Sequence, residues 1–89
     1  MDIKKSAFSG TLESSDAYVE IEPSKNGVFV NIESVVQKQF GPQIEAAVLS
    51  VLDEFKVENA NVKVLDRGAL ECVIRARVES AILRAKEEN

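Results

Sequence analysis

Apolar residues recur along this chain in two rhythms, and the change between them separates strands from helices. Residues 17–22 alternate: Ala17, Val19 and Ile21 share one face, and Tyr18, Glu20 and Glu22 the other. Residues 28–33 repeat the pattern with Val28, Val30 and Ile32. Such alternation marks a strand with one buried face. A shorter run, 7–12, precedes them, with Gly10 as a bulge or close-approach point. The small polar residues between 7–12 and 17–22 read as a hairpin tip. Between 22 and 28, Asn26-Gly27 is a turn signal. The expected arrangement is a three-stranded antiparallel meander, and residues 61–66 alternate again as a fourth strand.

The helical rhythm starts after residue 33. Ser34 and Gln37 have the spacing of a capping box, which predicts a short helix over 35–40. Gly41-Pro42 interrupts it, and Pro42 suits the first position of a second helix. There Ile44, Val48, Val51, Leu52 and Phe55 form one stripe. Asp66 is placed to cap a last helix over about 68–86. Its stripe is Leu70, Val73, Ile74, Val78, Ala81, Ile82 and Ala85. On that helix Arg75 lies four residues from both Glu71 and Glu79, a spacing that pairs charges. Val48, Leu52, Ile74 and Val78 are the expected core, and residues 1–5 read as a loose charged tail. The sum is one α+β domain over 1–89. It has a small, mostly antiparallel sheet (a three-strand meander plus one strand) covered by two amphipathic helices.

Composition narrows the class. The 89 residues are 45% hydrophobic and 29% charged, the mix of one small globular domain. A core this small is marginal, which suits a subunit of a larger complex. Cys72 is the only cysteine, so no disulfide helps within the chain. Its place in the last helix reads as packed or partly buried. The net charge of -4 argues against nucleic acid as a partner. The first ten residues are too polar for a signal peptide, and no apolar run reaches the length of a membrane span. A cytoplasmic location is expected.

The chain contains no His. Ser14 and Ser15 therefore have no adjacent base to make either a nucleophile. Glu13 and Asp16, as exposed turn carboxylates, are poor acid–base partners. No metal-ligand or Ca²⁺-loop spacing is present. The expectation is a chain that is not itself an enzyme. Arg75, Arg77 and Arg84 read as a solvated helix face, with an acidic partner or phosphates as the other reading.

Three segments carry a resemblance: Gly10-Thr11-Leu12-Glu13-Ser14-Ser15-Asp16, Val36-Gln37-Lys38-Gln39-Phe40-Gly41, and Asp66-Arg67-Gly68-Ala69-Leu70-Glu71-Cys72-Val73-Ile74-Arg75-Ala76-Arg77. In that order and spacing they resemble the acyl carrier protein, or gamma subunit, family of bacterial citrate lyase. The resemblance implies a non-catalytic carrier subunit of the enzyme that cleaves citrate to oxaloacetate and acetate. It implies a phosphoribosyl-dephospho-coenzyme A arm joined to a serine by a phosphodiester, and the matching residue is Ser14, not its neighbour Ser15. It implies an acetyl thioester on the arm, exchanged for citryl by a transferase (alpha) subunit and regenerated by a lyase (beta) subunit. A separate prosthetic-group transferase would load the arm. The carrier subunit of malonate decarboxylase, understood to use the same kind of arm, is the nearest alternative. An unmodified interaction domain is the alternative from another class.

Overall fold

The computed structural model describes residues 1–35 and 37–86, and of residues 37–39 only the backbone. The elements run β1 (Ala7–Gly10), β2 (Ala17–Glu22), β3 (Val28–Ser34), α1 (Gln37–Glu54), β4 (Ala60–Asp66) and α2 (Glu71–Ala85). The four strands form one sheet in the order β1-β2-β4-β3. Both helices lie on one face: α2 covers β1 and β2, and α1 packs beside it against β3. The expected α+β class and helix-covered sheet are what the chain adopts.

The meander is not. β1 and β2 pair antiparallel as expected, but β2 next pairs with β4, from Ala17↔Asp66 to Glu22↔Asn61. β3 pairs with β4 in parallel, from Val28↔Ala60 to Ser34↔Asp66. Alternation reports which face of a strand is buried, not which strand lies beside it. The Asn-Gly segment also does not close a hairpin. The Gly27 N–H donates to Asn59 Oδ1 at 2.7 Å, and Ala60 N–H donates to the Gly27 carbonyl at 3.1 Å. Residues 23–27 are thus tied to the start of β4 and carry the chain across its end. Helix α1 then supplies the crossover that a parallel β3–β4 pair needs. β4 becomes, with β2, one of the two interior strands, and its inward face is buried throughout: Ala60, Val62, Val64 and Asp66.

Three boundaries differ from expectation for local reasons. α1 is one helix with Pro42 inside it, not two helices. Gly41 has no Cβ to meet the proline ring, which removes most of the clash that restricts a pre-proline residue. Of the expected 35–40 helix, Val36 lies outside the described residues. Ser34 ends β3 and donates to Asp66 Oδ2 at 2.7 Å. α2 starts at Glu71, because Gly68 sits at φ 88, in the left-handed region. Its N-cap is Leu70, without a side-chain cap bond. Asp66 instead accepts from Ser34 and, at 2.9 Å, from the Ala69 N–H. The strand expected over 7–12 stops at Gly10, whose φ is 92.

The expected core residues Val48, Leu52, Ile74 and Val78 are all buried, in one cluster with Val19, Ile21 and Val64. The N-terminal tail is not loose: Ile3 joins the cluster, and the Lys4 and Lys5 N–H groups donate to the Ala85 carbonyl. That caps one of the last carbonyls of α2. Cys72 is exposed rather than packed. No helix among the described residues is long and apolar enough to cross a membrane.

Leu52 is 2% exposed. Leu52→Ala should cost about 2–5 kcal/mol through lost contacts and a residual cavity. A denaturant midpoint equal to that of the unchanged protein would show that Leu52 lies outside the core and that α1 packs in another register.

Candidate functional site: the serine tip

The β1–β2 connection is a tight turn whose every anchor is visible. Asp16 N–H donates to the Glu13 carbonyl at 3.1 Å, which leaves Ser14 and Ser15 as the two central residues. Ser15 takes φ 64, in the left-handed region. Its N–H donates to the Arg67 carbonyl, and the Arg67 N–H donates to the Asp16 carbonyl, both at 2.9 Å. The tip is thereby stitched to the loop that follows β4. Ser14 is exposed, and among the described residues its hydroxyl has no hydrogen-bond partner. The hydroxyl is free while the backbone around it is held.

The holding group is Asp16. Arg77, from the second turn of α2, donates Nε to Asp16 Oδ1 at 3.0 Å and a terminal nitrogen to Oδ2 at 2.9 Å. The Thr11 hydroxyl donates to Oδ2 at 2.6 Å, and the Ala17 N–H to Oδ1 at 2.7 Å. Thr11 Oγ1 in turn accepts from the Glu13 N–H at 3.2 Å. Both carboxylate oxygens are thus saturated, twice by a guanidinium in fork geometry. The Arg77 bonds, then those from Thr11 and Ala17, hold the Asp16 carboxyl well below the usual carboxylate range, against a smaller opposing effect of burial. Gly10 completes the frame: a Cβ there would lie 1.9 Å from the Ala17 carbonyl oxygen and 3.1 Å from Arg77 Cδ. Only glycine fits between the turn and the arginine.

Of the residues singled out from sequence, Ser14 and Ser15 do occupy an exposed tip between β1 and β2. Asp16, read there as an exposed turn carboxylate, is half-buried and neutralised by Arg77. The three arginines are not a free solvated face. Arg77 clamps the turn, Arg75 pairs with Glu54 of α1 rather than along its own helix, and Arg84 donates to the Phe8 carbonyl at 2.8 Å. No local pattern announces the Thr11–Asp16–Arg77 cluster, because Arg77 lies 61 positions from Asp16. The signal available was indirect: Asp16 and Arg77 each lie within one of the resembling segments.

Comparison with known proteins bears on the family and the fold. Residues 4–85 match the model of the ACP family described as malonate decarboxylase delta subunit (MdcD). One subunit in the crystal structure of a Pseudomonas malonate decarboxylase hetero-tetramer has the same fold, with a TM-score of 0.82. The superposition covers 96% of this chain and 88% of that one at 20% sequence identity. The citrate lyase acyl carrier protein of Lactococcus lactis is 51% identical over 87 residues, 98% of this chain and 91% of that one. That of Fusobacterium nucleatum is 49% identical, covering 100% of this chain and 96% of its own. The chain belongs to the citrate lyase acyl carrier protein family.

The lowered carboxyl fixes the sign of a pH effect. Asp16 ionises far more readily folded than unfolded, where its pKa is about 3.9. Its contribution is complete above that value and is lost as pH falls below it towards the folded value. Asp16→Asn should lower the denaturant midpoint at pH 7 and lessen the further loss between about pH 4 and pH 2. Parallel acid branches for the two proteins would contradict the clamp.

Proposed function

We propose that this chain is the acyl carrier subunit of a citrate lyase, acting as one domain in the cytoplasm. Ser14 is the attachment point for a phosphoribosyl-dephospho-coenzyme A arm. The observation that carries the reading is the free, exposed Ser14 hydroxyl on a backbone held by Arg67, Asp16 and Arg77. When attached, such an arm supplies a thiol that carries acetyl or citryl groups between the alpha and beta subunits. The residues present fit it. An extended anionic group leaving Ser14 Oγ meets no buried packing, and the Asp16 charge beside it is already balanced by Arg77.

What the polypeptide contributes is placement. Attachment at a rigid tip keeps the carried group at high local concentration for two active sites in turn. The bonds that define the turn are made by backbone and by Asp16, so modification of Ser14 breaks none of them. Ser15 is the less suitable hydroxyl. Its backbone is committed both to the left-handed conformation and to Arg67.

Intact mass of the protein from its native host should exceed that of the bare chain by the arm, and fragment masses should place the addition on Ser14. Ser14→Ala should fold with an unchanged midpoint, stay unloaded and leave the assembled lyase inactive. Loading on Ser15, or an active lyase built with Ser14→Ala, would refute the assignment.

A further inference from the structure

The chain has four arginines, and three are committed. Arg75 pairs with Glu54, Arg77 grips Asp16, and Arg84 donates to the Phe8 carbonyl. The fourth, Arg67, is exposed, and among the described residues its guanidinium has no hydrogen bond or ion pair. Open space lies beside it: a Cβ on Gly68 would meet nothing within 4 Å. An unpaired arginine is ordinary on a surface, but the place of this one is not. Its backbone is part of the serine tip. Ser15, at φ 64, donates to the Arg67 carbonyl, and the Arg67 N–H donates to the Asp16 carbonyl, each at 2.9 Å. Two residues opposing one, the first of them left-handed, make a β-bulge. Strand pairing of this kind puts facing Cα atoms about 5.5 Å apart, and Ser14 is one step of about 3.8 Å beyond Ser15. An arginine side chain, reaching towards a phosphate that itself stands off the Ser14 hydroxyl, spans that separation.

We propose that the Arg67 guanidinium binds the phosphodiester that joins the arm to Ser14. This rests on the reading of Ser14 as the attachment site. The charge at the tip calls for such a cation. Glu13, next to Ser14, is exposed, and among the described residues no group is bonded to its carboxylate. The Arg77 charge is already balanced by Asp16. A phosphodiester on Ser14 Oγ adds a further negative charge beside Glu13. A planar guanidinium matches a pair of phosphate oxygens through two parallel N–H···O bonds. The bulge fixes the Arg67 Cα against the turn, so the cation is within reach before the arm arrives. No bond of the turn is lost, because Arg67 contributes to it only through its N–H and carbonyl. The bound root then leaves the tip in one direction, while the thiol end stays free to travel between active sites. A coenzyme A-type arm carries a diphosphate of the same chemistry farther along. The root is the partner, because its distance from Arg67 is set by the fold and not by a flexible chain.

The test compares isotope-labelled full chain, loaded and unloaded, by NMR, after fragment masses have located the arm. With the arm on Ser14, the Arg67 Nε–H should exchange about fivefold more slowly than in the unloaded chain, the factor of a partly exposed charge pair. High salt should abolish the difference. Loaded Arg67→Gln should show a displaced phosphodiester phosphorus signal, undisplaced diphosphate signals and unchanged exchange at the Ser15 amide. Equal Nε–H exchange in the loaded and unloaded chains would overturn the pairing and leave the attachment site standing. Phosphorus signals displaced at the diphosphate and not at the root would do the same. An arm found on any residue other than Ser14 would bring down the attachment site and the pairing together. Where Arg67→Gln does not fold, the Nε–H comparison on the unsubstituted chain decides alone.

Discussion

A single carboxylate holds the serine tip of this domain together. Asp16 accepts from Arg77 twice, from Thr11 and from the Ala17 N–H, and so joins β1, β2 and α2 at one point. Isolated surface ion pairs contribute little to stability. This one differs because the fork is bidentate and the aspartate side chain is mostly covered. Its consequence is local order more than global stability. A four-residue turn with a residue in the left-handed region would otherwise fluctuate, and a fluctuating tip presents its hydroxyl in many orientations.

The sheet order serves the same end. With β4 between β2 and β3, the end of β4 lies beside the start of β2, and Asp66 is the register partner of both Ala17 and Ser34. Arg67 then follows directly and clasps residues 15 and 16 through two backbone bonds. A simple meander would have placed β3 against β2 and left the tip without that second anchor. Asp66, buried, closes the arrangement by receiving Ser34 and the Ala69 N–H, which turns the chain into α2 at the angle that brings Arg77 over the turn.

Much of this was legible in the chain, and the limits have physical causes. Strand faces and helix stripes followed from period two and period 3.6, so Val19, Ile21, Val48, Leu52, Ile74 and Val78 were identifiable as core. Strand neighbours were not, because pairing depends on where α1 delivers β4, and alternation is silent on that. Pro42 reads as a helix start by itself; only the packing of the stripe from Ile44 to Leu52 and the small Gly41 let one helix run through it. The exposed turn that holds Ser14 and Ser15 was legible from the polar gap between two apolar runs. The clamp was not, since no local pattern links Asp16 to Arg77. Arg75 and Arg84 likewise found partners on α1 and β1 rather than solvent.

The Asp16–Arg77 pair orders the serine tip, while the sheet stands without it. Residue-resolved hydrogen exchange on Arg77→Ala tests this directly. Exchange should quicken most at the Ser15, Ala17 and Arg67 amides, with only a smaller loss along the rest of the β2–β4 ladder. Unchanged exchange at those three amides, or an equal loss along the whole ladder, would contradict it.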